Sequence, residues 1–189
     1  MIDQGLSWSC QVSHVIRKIS KFIPILYHVR NSLTSSALRY IYNSIIYPNL
    51  HYCCSVWGGC TAYNMNPLLI LQKRLVRIMC HKTRLTHTAP LFKSLSVLTV
   101  AKIHSYMCLL FVFKMLQNDS DWFVIHSNSF NTRLSNQSFL TLPPIYSTHS
   151  RRSIRWVGPK LWNSLPNNLR SITNYNSFKF HVKRYLLAN

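Results

Sequence analysis

No glutamate occurs anywhere in this 189-residue chain, and its aspartates are Asp3, Asp119 and Asp121. That shortage removes whole classes of enzyme chemistry before any motif is sought. Paired carboxylates for acid–base work, two-metal sites and carboxylate-oriented triads all need acidic side chains close together. Asp119 and Asp121 are the one close pair. They follow an apolar stretch and precede Trp122-Phe123, where Asn118, Asp119 and Ser120 suit turn and cap positions better than metal ligation. Nucleophile-elbow and oxyanion-loop patterns are missing too. Long apolar runs are also absent: Ile103 to Leu116, the best candidate span, is too short for a membrane and carries Lys114. It reads as a buried helix. No Cys-x-x-Cys occurs among the cysteines at 10, 53, 54, 60, 80 and 108. Adjacent Cys53 and Cys54, with Cys60 beside a Trp-Gly turn, fit zinc spacing poorly even with His51, Cys80 and His81 nearby, so core packing is the stronger reading. The expectation is no metal and no cofactor.

What the chain has instead is positive charge. Twenty-two Lys and Arg give a formal net charge of +19, which makes copies of the chain repel one another and calls for an anionic partner. Two partner classes fit, nucleic acid or an anionic membrane surface. A hydrophobic fraction of 48% is a globular value, so this is no disordered basic tail. The start, Met-Ile-Asp-Gln-Gly, lacks the basic segment and apolar run of a signal peptide. The expectation is an intracellular protein, nuclear or cytoplasmic, with reduced thiols.

Apolar spacing predicts a mainly α protein: a helical bundle with a Ser/Asn/Pro-rich linker and a small basic C-terminal helical module. Val12, Val15, Ile16, Ile19, Phe22, Ile23 and Leu26 recur at helical spacing, with His14, Arg17, Lys18 and Lys21 opposite and Pro24 kinking or ending the helix. A second helix, capped by Thr34, Ser35 or Ser36, buries Leu38, Ile41, Tyr42 and Ile45 and stops before Pro48. Residues 49–60 read as a short buried helix or extended run closed by Gly58-Gly59. A third helix starts at Pro67, runs to about His81, and buries Leu68, Leu71, Leu75 and Ile78. Thr88 to Leu95 and Val100 to Gln117 read as a short helix and a long buried one. The last, about 175–187, buries Phe178, Val182, Tyr185 and Leu186. Composition divides the chain into a helical region 1–126, a linker or long loop 127–150, and a basic module 151–189.

Several segments resemble a known family in order. Ile2-Asp3-x-x-Leu6-Ser7-Trp8 and Lys18-Ile19-Ser20-Lys21 open the series. Leu50-x-Tyr52-Cys53-x-x-Val56-Trp57-Gly58, Leu71-Gln72-Lys73-Arg74-x-x-Arg77-Ile78 and Pro90-Leu91-Phe92-x-x-Leu95 continue it. Gly158-Pro159-Lys160-Leu161-Trp162-Asn163-Ser164-Leu165-Pro166 and Phe178-Lys179 close it. Together they resemble the thumb and post-polymerase region of jockey-like non-LTR (LINE-type) retrotransposon reverse transcriptases. The resemblance implies a role in gripping template RNA and primer DNA. It brings no catalytic residue, because the family's Mg²⁺-binding Asp-Asp palm lies upstream of the part that resembles this chain.

The candidate nucleic-acid-binding residues are therefore the basic helix faces. These are Arg17, Lys18 and Lys21; Lys73, Arg74 and Arg77; and Lys179, Lys183 and Arg184. Arg151, Arg152 and Arg155 join them, with Trp156 as a candidate base-stacking ring. Trp162, between Leu161 and Leu165, reads as core. Phosphate contact by such residues gives affinity without sequence readout, and an ordinary solvated face would intersperse acidic residues that are missing here. The expected partner is RNA or an RNA/DNA hybrid. The alternatives are a structural segment that packs on an upstream polymerase domain, and an anionic-membrane-surface binder.

Overall fold

The computed structural model describes residues 3–118, 121–125 and 139–189. Their architecture is all-α; apart from one isolated bridge between Ile125 and Leu140, the described residues carry no β pairing. Half of the expected linker, residues 127–138, lies outside the described part, as does Asp119. The helices gather into two compact units, Met1–His104 and Ser105–Asn189. The division thus lies within a long helix, where composition had placed it near 126.

In the first unit, α1 (Ser9–Ser20) and α2 (Phe22–Val29) replace the single helix expected from the apolar spacing. Pro24 explains the break. Its ring and missing N–H fall against the carbonyl four residues back, which is Ser20, and α1 ends there. Asp3 accepts hydrogen bonds from the Ser7 and Trp8 backbone N–H groups and the Ser7 hydroxyl, which lead into α1.

Pro48 does not end the second helix as expected. α3 (Ser35–Ile41), capped by Thr34 Oγ1 on the Ala37 N–H, runs through a π-helical turn, Tyr42–Ile46, into α4 (Tyr47–His51). The wider turn bypasses the N–H that Pro48 lacks, and Asn49 Nδ2 donates to the Ile45 carbonyl at 2.7 Å. It also changes which residues are buried. Leu38, Tyr42, Ile46 and Leu50 all face the core at a strict spacing of four, while Ile41 and Ile45 are only half-buried. A regular helix would rotate such a row steadily off the core.

Tyr52 and Cys53 reverse the chain, with Cys53 in the left-handed region, and α5 (Cys54–Trp57) follows. Trp57 is buried and donates from Nε1 to the Tyr52 carbonyl at 2.7 Å. Gly58 is obligatory. A Cβ there would lie 2.4 Å from the Cys54 carbonyl oxygen and 2.7 Å from His104 Cδ2.

Helix α6 (Ala62–Met79) begins five residues before the expected start at Pro67, because Thr61 Oγ1 caps the Asn64 N–H. Pro67 sits inside the helix on its exposed side. α6 packs on α1, α2, α3 and α7 (Ala89–Ser94) and centres the unit. Its inner face carries Gln72 as well as Leu68, Leu75, Val76 and Met79. The Gln72 amide donates from Nε2 to Tyr42 Oη and to the Leu98 carbonyl, each at 2.8 Å. Its Oε1 accepts the backbone N–H of Val100, also at 2.8 Å. Val100 opens α8 (Val100–Gln117), so one side chain ties the π turn and the start of α8 to the central helix.

The second unit is built on α8, α9 (Ile154–Asn163), α10 (Asn167–Arg170) and α11 (Tyr175–Ala188). Phe113 and Phe178 stack at 4.3 Å, and Trp162 lies against Phe178 at 5.7 Å, only 3% exposed. Tyr185 and Leu186 are only half-buried, unlike the stripe expected for α11. The Gly158-Pro159 pair sits inside α9. A Cβ at Gly158 would lie 2.7 Å from Val112 Cγ2, so glycine lets α9 seat on α8. Asn163 holds the backbone of Leu140 in both directions, accepting its N–H and donating to its carbonyl at 2.9 Å each. Residue 140 is therefore anchored in the core of this unit, although composition assigned it to a linker.

Replacing Gln72 with Leu strands three buried polar groups, Tyr42 Oη, the Leu98 carbonyl and the Val100 N–H. Urea denaturation is expected to show a loss of about 3 kcal/mol or more. Adding Tyr42→Phe removes one stranded group, so the double variant is expected to recover part of the loss. A second expectation concerns pH. His104 is buried, and desolvation holds its imidazole below the ordinary value. The unfolded chain binds that proton near pH 6.5 while the folded chain does not. Its contribution to stability is thus fully present above about pH 6.5 and declines as pH falls toward the lowered folded value. Thermal midpoints compared at neutral and mildly acidic pH are expected to fall more for the native chain than for His104→Gln; equal falls would remove His104 from the account.

Candidate nucleic-acid interface

The basic residues were expected on faces opposite the apolar stripes. In the first unit, Val12, Val15 and Ile19 turn α1 inward, which sets Arg17, Lys18 and Lys21 on its solvent side, all exposed. On neighbouring α6, Arg74 is exposed and Lys73 half-buried. Arg77 departs from the set. It is half-buried, and its Nε donates to the Thr86 carbonyl at 3.0 Å, holding the turn after α6. Its guanidinium clasps that turn.

In the second unit, Lys179, Lys183 and Arg184 are exposed on α11 opposite Phe178 and Val182, with the Arg184 guanidinium 5.6 Å from the ring of exposed Phe180. Arg151 and Arg152 form a 3₁₀ turn, Ser150–Arg152, that leads into α9. Arg151 and Arg155 are exposed and Arg152 is half-buried. Trp156, the sequence candidate for stacking, is half-buried, and Lys160 Nζ lies 5.0 Å from its ring centroid one helical turn on. A ligand base would have to displace its own chain's ammonium. Trp122, passed over in the sequence, is 49% exposed, with the Arg155 guanidinium 5.8 Å over its ring and Phe111 edge-on at 5.7 Å.

Sequence reading also missed a set of exposed tyrosines in the first unit. Tyr27, Tyr40, Tyr52 and Tyr63 all lie largely in solvent. The Arg30 guanidinium covers Tyr27 at 4.1 Å. The available signal was positional: Tyr63 lies on the α6 face opposite Leu68 and Leu75, as Arg74 does.

The interior offers little reactive chemistry. Burial pushes the Cys108 thiol up to about 12, which keeps it protonated and inert at neutral pH. Among the described residues no three His, Cys or Asp side chains come together to hold a metal ion. No described helix is long and apolar enough to cross a membrane. The second unit contains a cavity of about 230 Å³, lined mainly by apolar side chains such as Leu116, Ile125 and Ile172. Arg170, whose guanidinium lies 4.2 Å over the Phe139 ring, is the one titratable side chain among the lining residues, so they supply no acid–base pair.

No family model, no curated protein and no solved structure matches the chain.

Proposed function

We propose that this chain is a non-catalytic nucleic-acid-binding fragment of a retrotransposon RNA-directed DNA polymerase, gripping the backbone of RNA or of an RNA/DNA hybrid. One observation carries the reading. The exposed lysines and arginines of α1, α6 and α11 stand opposite buried apolar stripes, in a chain with three aspartates and no glutamate to neutralise them. Even with every aspartate paired one to one, 22 − 3 = 19 basic side chains have no carboxylate counterpart. A polymer of phosphates supplies the missing charge in the density that such a surface needs, and each contact gains by releasing condensed counterions.

The parts divide naturally. The helices of the first unit present Arg17, Lys18, Lys21, Lys73 and Arg74. Residues 151–189 supply the basic side chains of the second unit, with Arg151, Arg155, Lys179, Lys183 and Arg184 exposed, and the protein works inside the cell, in the nucleus or cytoplasm. The retrotransposon assignment rests on the motif series that closes with Gly158-Pro159 and Trp162-Asn163.

A second reading has its own support. Ile25, Val56 and Leu85 are exposed apolar side chains in the first unit, and they suit a segment that packs on an upstream polymerase domain and has no independent activity. Light scattering separates the readings: aggregation of the isolated chain supports the severed segment, a monodisperse monomer the autonomous binder.

The direct test is fluorescence anisotropy with labelled RNA. With about six or more phosphate contacts, affinity is expected to fall roughly 10³-fold or more between about 50 and 200 mM salt. A flat salt profile, or no binding at physiological salt, overturns the proposal. Converting Lys73 and Arg74 to Gln is expected to weaken binding alike across sequences and to lower the log–log salt slope by about 2. Arg77 is left intact in that variant because of its bond to Thr86. Unchanged affinity would remove α6 from the surface.

A further inference from the structure

The outward face of α6 carries more than charge. Tyr63 is 88% exposed, Ile70 58%, and Arg74 is exposed beside them. At about 100° per residue, Ile70 lies some 20° to one side of Tyr63 and Arg74 about 20° to the other, so the three form one narrow stripe roughly 16 Å long. An ordinary solvated face on a helix this long is mainly charged and polar. Here an aromatic ring, an aliphatic side chain and a guanidinium follow one another, and Lys73 adds a second cation at the same end.

We infer that this stripe is a platform for single-stranded nucleic acid, with one base stacked on the Tyr63 ring, a further base of the same strand resting on Ile70 and the phosphates held by Lys73 and Arg74. The inference rests on the proposed function and narrows its substrate. Charge complementarity selects an anionic occupant, and the apolar members of the stripe select one that also presents flat apolar faces. A single strand offers both. In a duplex the bases are already stacked on each other, so it engages the cations alone. A lipid surface fits less well, because one aliphatic side chain and a tyrosine make too narrow a face to enter a bilayer boundary. A second copy of the chain is opposed by the +19 charge.

The experiment compares a fluorescein-labelled 12-nucleotide oligouridine with a 12-base-pair RNA duplex, using the full chain at fixed salt. Tyr63→Ala is expected to weaken single-strand binding about tenfold, the lower part of the range for loss of one base–aromatic stack, and to leave duplex affinity and the salt slope unchanged. Tyr63→Phe keeps the ring and is expected to bind like the native chain. Ile70→Ser, on the same stripe, is expected to give a smaller loss confined to the single strand. Because both positions are solvent-facing, circular dichroism is expected to show unchanged helicity.

An equal loss on both ligands, or no loss on either, overturns the inference. Should Lys73→Gln/Arg74→Gln weaken both ligands while Tyr63→Ala affects neither, the backbone grip stands and the stacking platform falls. Absence of binding to either ligand by the native chain overturns both. Binding to phosphatidylserine vesicles that oligouridine does not compete away assigns the stripe to a membrane surface and also overturns the inference.

Discussion

A chain with almost no carboxylates must hold its helices together by means other than ion pairs, and the solution here is the side-chain amide. Not one described helix carries an acidic residue in its first turn where that turn is defined. The positive end of the helix dipole, which Asp or Glu would ordinarily complement, is met by Thr34, Thr61 and Asn174 caps. Across the fold, Gln72 joins three segments, Asn64 donates to the Ser7 carbonyl, and Asn163 pins Leu140. Gln117 likewise reaches the Thr173 carbonyl. An amide offers a donor and an acceptor at once and carries no charge. It therefore satisfies buried backbone groups without the desolvation penalty of an ion. Gln72 is the decisive case, because its removal would loosen the π turn and the start of α8 together.

Much of the helical framework was legible in the sequence, and what escaped has identifiable causes. The α8 range, Val100–Gln117, follows from its mainly apolar content. Prolines caused the errors, in both directions. Pro24 produced the break three residues upstream, since the steric conflict falls on residue i−4 and not on the proline itself. Pro48 was read as a stop, yet a π turn absorbs it. That turn also explains why Ile46 is buried where Ile45 was expected, because inserting a residue shifts the register by one position. Periodicity alone assumes one helical repeat throughout and cannot register such a change. Pro67 seemed a start because it suits a first turn, whereas the cap at Thr61 lies further upstream.

For the candidate interface, the charges were legible and their neighbours were not. Opposing faces place Arg17, Lys18 and Arg74 in solvent without any structure. Arg77 looked equivalent by spacing, but the chain beyond α6 folds back and gives its guanidinium a carbonyl. Trp156 looked free, but Lys160 one turn later covers it. Both cases depend on which group lies nearby in space, and a helical wheel does not carry that information. The exposed tyrosines are the opposite case. Tyr63 was visible on the outer face of a wheel, yet aromatic residues are read as core by default, and the shifted start of α6 concealed that it belonged to the helix.

The charge that suggests a ligand also bears on the stability of the fold. Nineteen unbalanced positive charges on a chain of this size repel one another in the compact state. Amide clamps do nothing to relieve that repulsion, since they carry no charge. A bound polyanion does, and it adds the mass-action stabilisation that any ligand of the folded form confers. On the proposed reading, stability and binding are therefore linked: the shortage of carboxylates that leaves the surface free for phosphates also leaves the free protein less stable than its complex. The absence of glutamate makes physical sense on those terms. Each Glu added near α1 or α6 would ease self-repulsion in the free chain, and each would oppose a phosphate in the bound one.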